Sequence, residues 1–312
     1  MTPTAVPPGI NDLGPSADRA ARRFHVEHRT TYQYGAAVAS GQTLAHLVVR
    51  DTPRQRVVAS DVTTSPEPDE RHDHRDLFGN HVTYLAFERA HDELELLATS
   101  TVDLHPGQLP LDTGPAWEEI PRRLADDRSA DGLLARQCTT GSTLVHPTSR
   151  LREFAQPSFP PGVPLWDGVV DLNHRIATTF TFVPGATDVT TPLEIVLEDR
   201  RGVCQDFAHL MVGGLRSLGL PARYVSGYLE TLPPPGETKL VGADATHAWV
   251  SVWLPGTGWV DLDPTNDLIE LDHHVTTAWG RDYADVAPVR GVVFGSVTSQ
   301  QLTVSVDVST VL

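Results

Sequence analysis

The chain has 312 residues, of which 40% are hydrophobic and 21% charged, and its net charge is −16 at pH 7. This length is enough for a sizeable core and favours two domains over one. The negative charge argues against nucleic acid or an anionic membrane as the main partner, because either would repel the protein. No run of residues reaches the length that crosses a bilayer, and residues 1–23 lack the apolar core of a signal peptide, so we predict a flexible tail there.

The segment 24–106 has the pattern of an all-β, sandwich-like domain. In "FHVEHRTTYQY", apolar and aromatic residues such as Phe24, Val26 and Tyr32 fall on alternating positions, which is typical of a strand. Further strand-like stretches follow, and turn-rich pieces such as SPEPDE and FGN separate them. This spacing predicts an antiparallel sandwich.

The segment 107–312 changes to an α+β pattern. Leu165 to Phe180 carries apolar residues at helical spacing, and a second apolar stripe runs from Phe207 to Leu218, where Gly219 and Pro221 follow. Strand-like stretches resume with "ARYVSGYLE", "HAWVSVWL" and "GWVDLD". The final "VRGVVFGSVTSQQLTVSVDV" predicts a C-terminal β hairpin.

Cys204 lies where the polar turn "DRRGV" becomes the second apolar helix. Unpaired amide groups and the helix dipole at such a position stabilise a thiolate and can hold an oxyanion. The chain has only one other cysteine, Cys138, which is too few for a disulfide scaffold or a four-thiolate zinc site. Cys204 is therefore a candidate nucleophile in a cytoplasmic protein, although a small buried side chain is the commoner role of an intracellular cysteine.

A candidate base and acid follow in "GADATHAWVSVWLPGTGWVDLDPTND". An antiparallel hairpin that turns at Pro255–Gly258 would carry His247 and Asp263 to the same end of a sheet. With Cys204 beside them, they would form a thiol, base and orienting acid. Strand parity places Asp261 on the same face as Asp263, so spacing alone does not choose between the two carboxylates.

Other polar residues near these positions receive structural interpretations. His209 lies about 140° around the helix from Cys204, which indicates packing or hydrogen bonding, and Asp206 is a first-turn carboxylate that complements the dipole and could help to shape the cleft. The pairs His72 with His74 and His273 with His274 lack a third ligand nearby in sequence, so we interpret them as solvated loop histidines. We predict no metal and no cofactor.

The motifs "RRGVCQDFAHLMVGGLRSLGLPARYVSGY", "THAWVSVW" and "GWVDLDPTN" together resemble the bacterial transglutaminase-like superfamily, whose members are often described as cysteine proteases. The resemblance implies a papain-like α+β core and a triad of Cys204, His247 and Asp263, and its DPT-type motif selects Asp263 over Asp261. "HRTTYQY" and "DLFGNHVTYLAFE" are similar to the β domain that precedes this core in bacteria. The tail from "GRDYADVAPVRGVVFGS" onward is similar to the same subfamily's C-terminal end.

Together these features predict cysteine-dependent acyl transfer at the amide bonds of a peptide or protein. Hydrolysis is the preferred outcome, since water is available by default; amide exchange to an amine acceptor is the alternative. A binding or scaffold protein that keeps the core without the reaction is a third hypothesis. The segment Thr231–Thr246 ends at the histidine, so we expect it to border the cleft, together with Asp206, Tyr228, Asp244 and Trp249. The oligomeric state is left open.

Overall fold

A computed structural model of the chain describes residues 21–107, 110, 112–231, 245–269, 271–295 and 299–311. The strands are β1 (Arg22–Val38), β2 (Ser40–Ala45), β3 (Gln55–Ser65), β4 (Glu70–Arg75), β5 (His81–Phe87), β6 (His91–Leu104), β7 (Thr181–Phe182), β8 (Arg201–Gly202), β9 (Ala222–Leu229), β10 (Ala245–Leu254), β11 (Gly258–Leu262), β12 (His274–Gly280), β13 (Val289–Phe294) and β14 (Gln300–Val311). The α-helices are α1 (Ile120–Asp126), α2 (Ala130–Gln137), α3 (Ser149–Ala155), α4 (Leu165–Thr179), α5 (Leu193–Asp199), α6 (Cys204–Ser217) and α7 (Tyr283–Val286). None of the helices within these ranges is long and apolar enough to cross a membrane.

The N-terminal strands form two antiparallel four-stranded sheets, ordered β14-β1-β6-β3 and β13-β2-β5-β4. In β1 the side chains of Phe24 and Val26 are buried while their neighbours are more exposed, as the alternating pattern predicts. Leu47, Leu85 and Leu96 belong to the cluster of buried side chains that both sheets share. The predicted all-β sandwich is confirmed.

The predicted C-terminal hairpin is wrong. β13 pairs with β2, and β14 pairs with β1 from Arg23 opposite Val311 to Tyr34 opposite Gln300, so the two strands lie in different sheets. Alternating hydrophobicity predicts that a segment is extended, but it does not identify the partner strand. Both C-terminal strands therefore belong to the sandwich. The predicted domain boundary between residues 106 and 107 stays a prediction for the part of the chain before β13.

The α+β core consists of a third antiparallel sheet, ordered β11-β10-β9-β12, and the helices packed on it. Helix α6 lies against β9 and β10. Its own residues Leu210, Met211 and Leu215 are fully buried. It ends at Ser217, and Gly219 follows with a φ of +79°, so the predicted stop signal is confirmed. Helix α4 covers 15 residues of the predicted stretch, from Leu165 to Thr179, and ends just before Phe180.

Two sets of contacts join the sandwich to the core. Tyr228 on β9 and Val275 on β12 pack with buried residues of β1 and β14, and the Tyr228 hydroxyl is hydrogen-bonded to His28 Nδ1 at 3.0 Å. Nearby, the Arg223 guanidinium lies between Trp259 and Trp279, 4.1 and 3.7 Å from their ring centres. Arg50 covers the Trp279 ring at 3.3 Å. These cation–π contacts connect the loop after β2 to strands of the core.

Candidate active site

Cys204 is the first residue of α6, as the sequence predicts, and its side chain is partly exposed. The chain enters the helix through Val203, whose backbone is extended (φ −119°, ψ 178°). Asp206 fixes this entry, because its Oδ2 accepts the Val203 N–H at 2.8 Å and the Thr187 hydroxyl at 2.6 Å. The thiol therefore sits on a braced helix start, where unpaired N–H groups and the dipole favour negative charge.

His247 lies on β10, directly opposite Gly227 of β9. Its Nε2 is 2.7 Å from Oδ2 of Asp263, and Cys204 lies close enough to the same imidazole to raise its pKa together with Asp263. The structure thus brings the thiol, the imidazole and the carboxylate together in one site. The side chain of His247 is 10% exposed and that of Asp263 is fully buried, so the pair lies at the inner wall of the site.

The electrostatics of this pair favour its charged form. Burial acts to lower the pKa of His247, but Asp263 and Cys204 outweigh it and raise that pKa to about 10. Burial acts to raise the pKa of Asp263, but His247 and His274 hold it well below the ordinary range. The carboxylate is therefore ionised, and it stabilises the proton on the imidazole.

Asp261 and Asp263 have different hydrogen-bond partners. Asp263 follows the last residue of β11, and its Oδ1 accepts the backbone N–H groups of Thr265 (2.9 Å) and Asn266 (3.2 Å). The amide of Asn266 also donates to Asp263 Oδ2 at 2.7 Å. Asp261 instead accepts the indole N–H of Trp249 at 3.3 Å. Of these two carboxylates, Asp263 is the one that contacts the imidazole of His247.

Comparison with known proteins identifies the family. Residues 24–103 match the bacterial transglutaminase-like N-terminal region, and residues 155–264 match the transglutaminase-like superfamily. An uncharacterised protein of Mycobacterium tuberculosis is 42% identical over 291 residues, which is 92% of each chain. The chain belongs to the transglutaminase-like superfamily.

Further relatives agree with this transglutaminase-like fold. The crystal structure of a candidate cysteine protease from Cytophaga hutchinsonii superposes with a TM-score of 0.74 at 23% identity, covering 94% of this chain and 91% of that one. A protein-glutamine gamma-glutamyltransferase of Pseudomonas aeruginosa is 39% identical over 123 residues, which cover 38% of this chain and 18% of that protein.

The transglutaminase-like site holds two residues that the sequence analysis missed. One is Asn266, described above. The other is His274, the first residue of β12, whose Nε2 is 3.0 Å from Asp263 Oδ2. Asn266 directly follows the DPT motif, which was the one local signal for it; for His274 there was only its position at the start of a strand-like run.

The interpretation of His273 and His274 as solvated loop histidines is wrong. They are 9% and 3% exposed, respectively, and His273 is hydrogen-bonded to Glu230 at 2.8 Å. Both are buried although β12 is an edge strand of the sheet: His274 packs against Trp249 and Asp263, and His273 packs against Glu230. His72 and His74 are exposed, as predicted, but on strand β4 rather than in a loop.

Ligand atoms of His247, Asp263 and His274 all lie within 4.8 Å of one another, so these three residues could hold a metal ion. His247 and His274 contact the same oxygen of Asp263 at 2.7 and 3.0 Å, which are hydrogen-bond distances. We therefore interpret the group as a hydrogen-bonded network.

The predicted cleft residues have different positions. Tyr228 is 2% exposed at the junction with β1, and Trp249 is fully buried behind His247, so both pack in the interior and neither lines an open cleft. Asp206 is also buried and braces the start of α6. Asp244 lies outside the described residues, as does most of Thr231–Thr246. His209 accepts the Tyr283 N–H at 3.1 Å, a structural contact of the kind predicted for it.

Proposed function

We propose that this chain catalyses acyl transfer at amide bonds through Cys204, with hydrolysis as the main outcome. The observation that carries the proposal is that the His247 imidazole lies 2.7 Å from the Asp263 carboxylate and close enough to Cys204, at the start of α6, for Cys204 to raise its pKa. A nucleophile, a base and an orienting acid in this order are the requirements of the generalised triad.

Each residue has one role in the proposed reaction. His247 takes the proton of the Cys204 thiol, and the thiolate attacks the carbonyl carbon of the substrate amide. The N–H groups in the first turn of α6 stabilise the oxyanion that forms. His247 then gives its proton to the leaving amine as the carbon–nitrogen bond breaks, which leaves a thioester on Cys204. Asp263 holds the imidazole in the required orientation throughout.

Water or an amine can resolve the thioester, and the two acceptors give different enzymes. Water gives a carboxylic acid and restores the thiol; we favour it because Cys204 is partly exposed, which leaves it open to solvent. An amine gives a new amide, as in a transglutaminase. The sequence identity to a protein-glutamine gamma-glutamyltransferase supports this second candidate for the segment that the two proteins share.

The test is to incubate the full chain with a glutamine-containing peptide and a competing primary amine, and to identify the products by mass spectrometry. We expect acid as the main product, and no product from Cys204→Ala. Cys138→Ala is the matched control and should retain activity, because Cys138 is buried away from the site. Exclusive amide exchange would replace hydrolysis by the second candidate.

A scaffold protein would give a different result. If neither product forms and both cysteines react slowly with iodoacetamide, the proposed acyl transfer is wrong. A peptide or protein amide as substrate and a cytoplasmic location belong to the same proposal. The location is supported by the two cysteines, which are both free thiols in the structure.

A further inference from the structure

We propose that His274 is a positioning residue for this reaction, and that it acts as a neutral imidazole whose Nε2–H fixes the Asp263 carboxylate against His247. This inference rests on the proposed function, since it assigns a role within the same site. His274 does not touch the thiol or the substrate carbonyl in this scheme; it acts through Asp263.

The geometry places His274 at the back of the carboxylate. Its Nε2 is 3.0 Å from Asp263 Oδ2, the oxygen that also contacts His247 and the Asn266 amide, each at 2.7 Å. Two backbone N–H groups bind the other oxygen. With five donors around it, the carboxylate has one orientation and accepts no proton readily.

The ring of His274 is itself fixed. It is 3% exposed, and it meets the Trp249 ring edge-on, with ring centres 5.1 Å apart and planes at 81°. Its position at the start of β12 is set by pairing with Leu229 at the end of β9. An imidazole held by a sheet and an indole can direct its donor at one oxygen.

The protonation state follows from the contacts of the two ring nitrogens. Nε2 faces a carboxylate oxygen and therefore carries the hydrogen, whereas Nδ1 is buried without a partner among the described residues. Besides Asp263, the charged and titratable groups that act on the ring are His247, 5.5 Å away between ring centres, and His273. A second positive charge beside protonated His247 would be repelled, so His274 stays neutral while His247 exchanges the proton.

This arrangement divides the work between two imidazoles on one carboxylate. His247 changes its protonation state during the reaction, and His274 holds the carboxylate while that happens. Without the His274 donor, Asp263 would have more freedom to rotate and a greater tendency to take a proton. The imidazolium of His247 would then lose part of its stabilisation, so His247 would hold less firmly the proton that it takes from Cys204.

The experiment measures the rate at which iodoacetamide alkylates Cys204 in the full chain between pH 5 and 10, because this readout needs no substrate. His274→Leu removes the donor, whereas His274→Gln retains an N–H near the position of Nε2. We expect His274→Leu to slow alkylation near neutral pH by about tenfold, the effect of losing one hydrogen bond to a charged group, and to shift the rise of the rate with pH to higher pH. His274→Gln should restore most of the rate and the wild-type pH profile.

A wild-type rate and pH profile in His274→Leu would overturn the inference, as would a folded His274→Gln that is as impaired as His274→Leu. If His274→Leu does not fold, His274→Asn replaces it, since its shorter amide does not reach Asp263 and should behave as a non-donor beside His274→Gln. Slow alkylation of wild-type Cys204, at the rate of buried Cys138, would instead contradict the proposed function itself. Fast wild-type alkylation that is indifferent to residue 274 overturns only the role of His274.

Discussion

Trp249 donates its indole N–H to Asp261 at 3.3 Å, two residues along β10 from the histidine that contacts Asp263. Asp261, on β11, and Asp263, directly after it, therefore have different partners. Asp261 accepts the indole N–H, and Asp263 contacts the imidazole. Spacing left open which carboxylate lies next to His247, and in the structure it is Asp263.

Asn substitutions should therefore have very different effects at the two positions. Asp263→Asn removes the charge that favours protonated His247 and places an amide among three side-chain donors, so we expect the alkylation rate of Cys204 and the turnover to fall by about 10²–10⁴-fold. Asp261→Asn keeps an oxygen that accepts from Trp249, and its activity should stay within about threefold of wild type. Equal losses in the two variants would contradict the assignment of Asp263.

His247 should make stability depend on pH in a defined direction. Its pKa is raised to about 10 in the folded protein, so its contribution is fully present below its unfolded pKa of about 6.5 and is lost as pH rises through 10. The loss in free energy of unfolding caused by His247→Gln should be largest near about pH 6 and shrink toward alkaline pH. Urea denaturation at several pH values measures it.

The control for this measurement is His174, which contacts Asp267 at the same 2.7 Å but on the surface, with side chains 61% and 40% exposed. Solvent screens such a pair, so His174→Gln should change stability little at any pH. A pH dependence of the same size in both variants would mean that burial of the His247 pair has no special effect.

Gly227 should tolerate no side chain. A Cβ there would lie 2.1 Å from the carbonyl oxygen of Val275 and 2.5 Å from the Trp249 ring. Since Gly227 pairs with His247 across the sheet, we expect Gly227→Ala to lower the free energy of unfolding by about 1–3 kcal/mol and to slow alkylation of Cys204. Gly41→Ala is the matched strand control, because its nearest contact would be an ordinary 3.5 Å to Val293. A fully stable Gly227→Ala would contradict this prediction, since both the Val275 carbonyl and the indole would have to move away.

Asp206 should couple the start of α6 to the reactivity of the thiol. Asp206→Ala leaves the Val203 N–H and the Thr187 hydroxyl without their acceptor, and we expect a loss of about 1–2 kcal/mol in unfolding free energy with slower alkylation. Thr187→Val removes one of the two contacts and should have the smaller effect on both. If Thr187→Val proves more damaging, the loop that carries Thr187 braces the site independently of the carboxylate.

The sequence predicted the parts of the site that depend on local pattern. Turn residues followed by an apolar stripe predicted the helix that starts at Cys204. Alternating hydrophobicity on both sides of a short turn predicted that His247 and Asp263 lie close together. Contacts between segments that are not consecutive could not be predicted in this way. His274 reaches Asp263 because β12 crosses over to pair with β9, while β11 lies at the opposite edge of the sheet. No spacing of residues along the chain encodes that strand order.

The pairing of β13 with β2 and of β14 with β1 bears on how the protein is made. During translation β1 and β2 are synthesised before the α+β core. The edges of these two strands that later pair with β14 and β13 stay open until the ribosome has passed through the core. Open edges are sites of aggregation, so the nascent chain passes through a period of risk. The sandwich is thus completed last, and a stop codon ahead of residue 289 would release a chain in which β1 and β2 lack their outer partner strands.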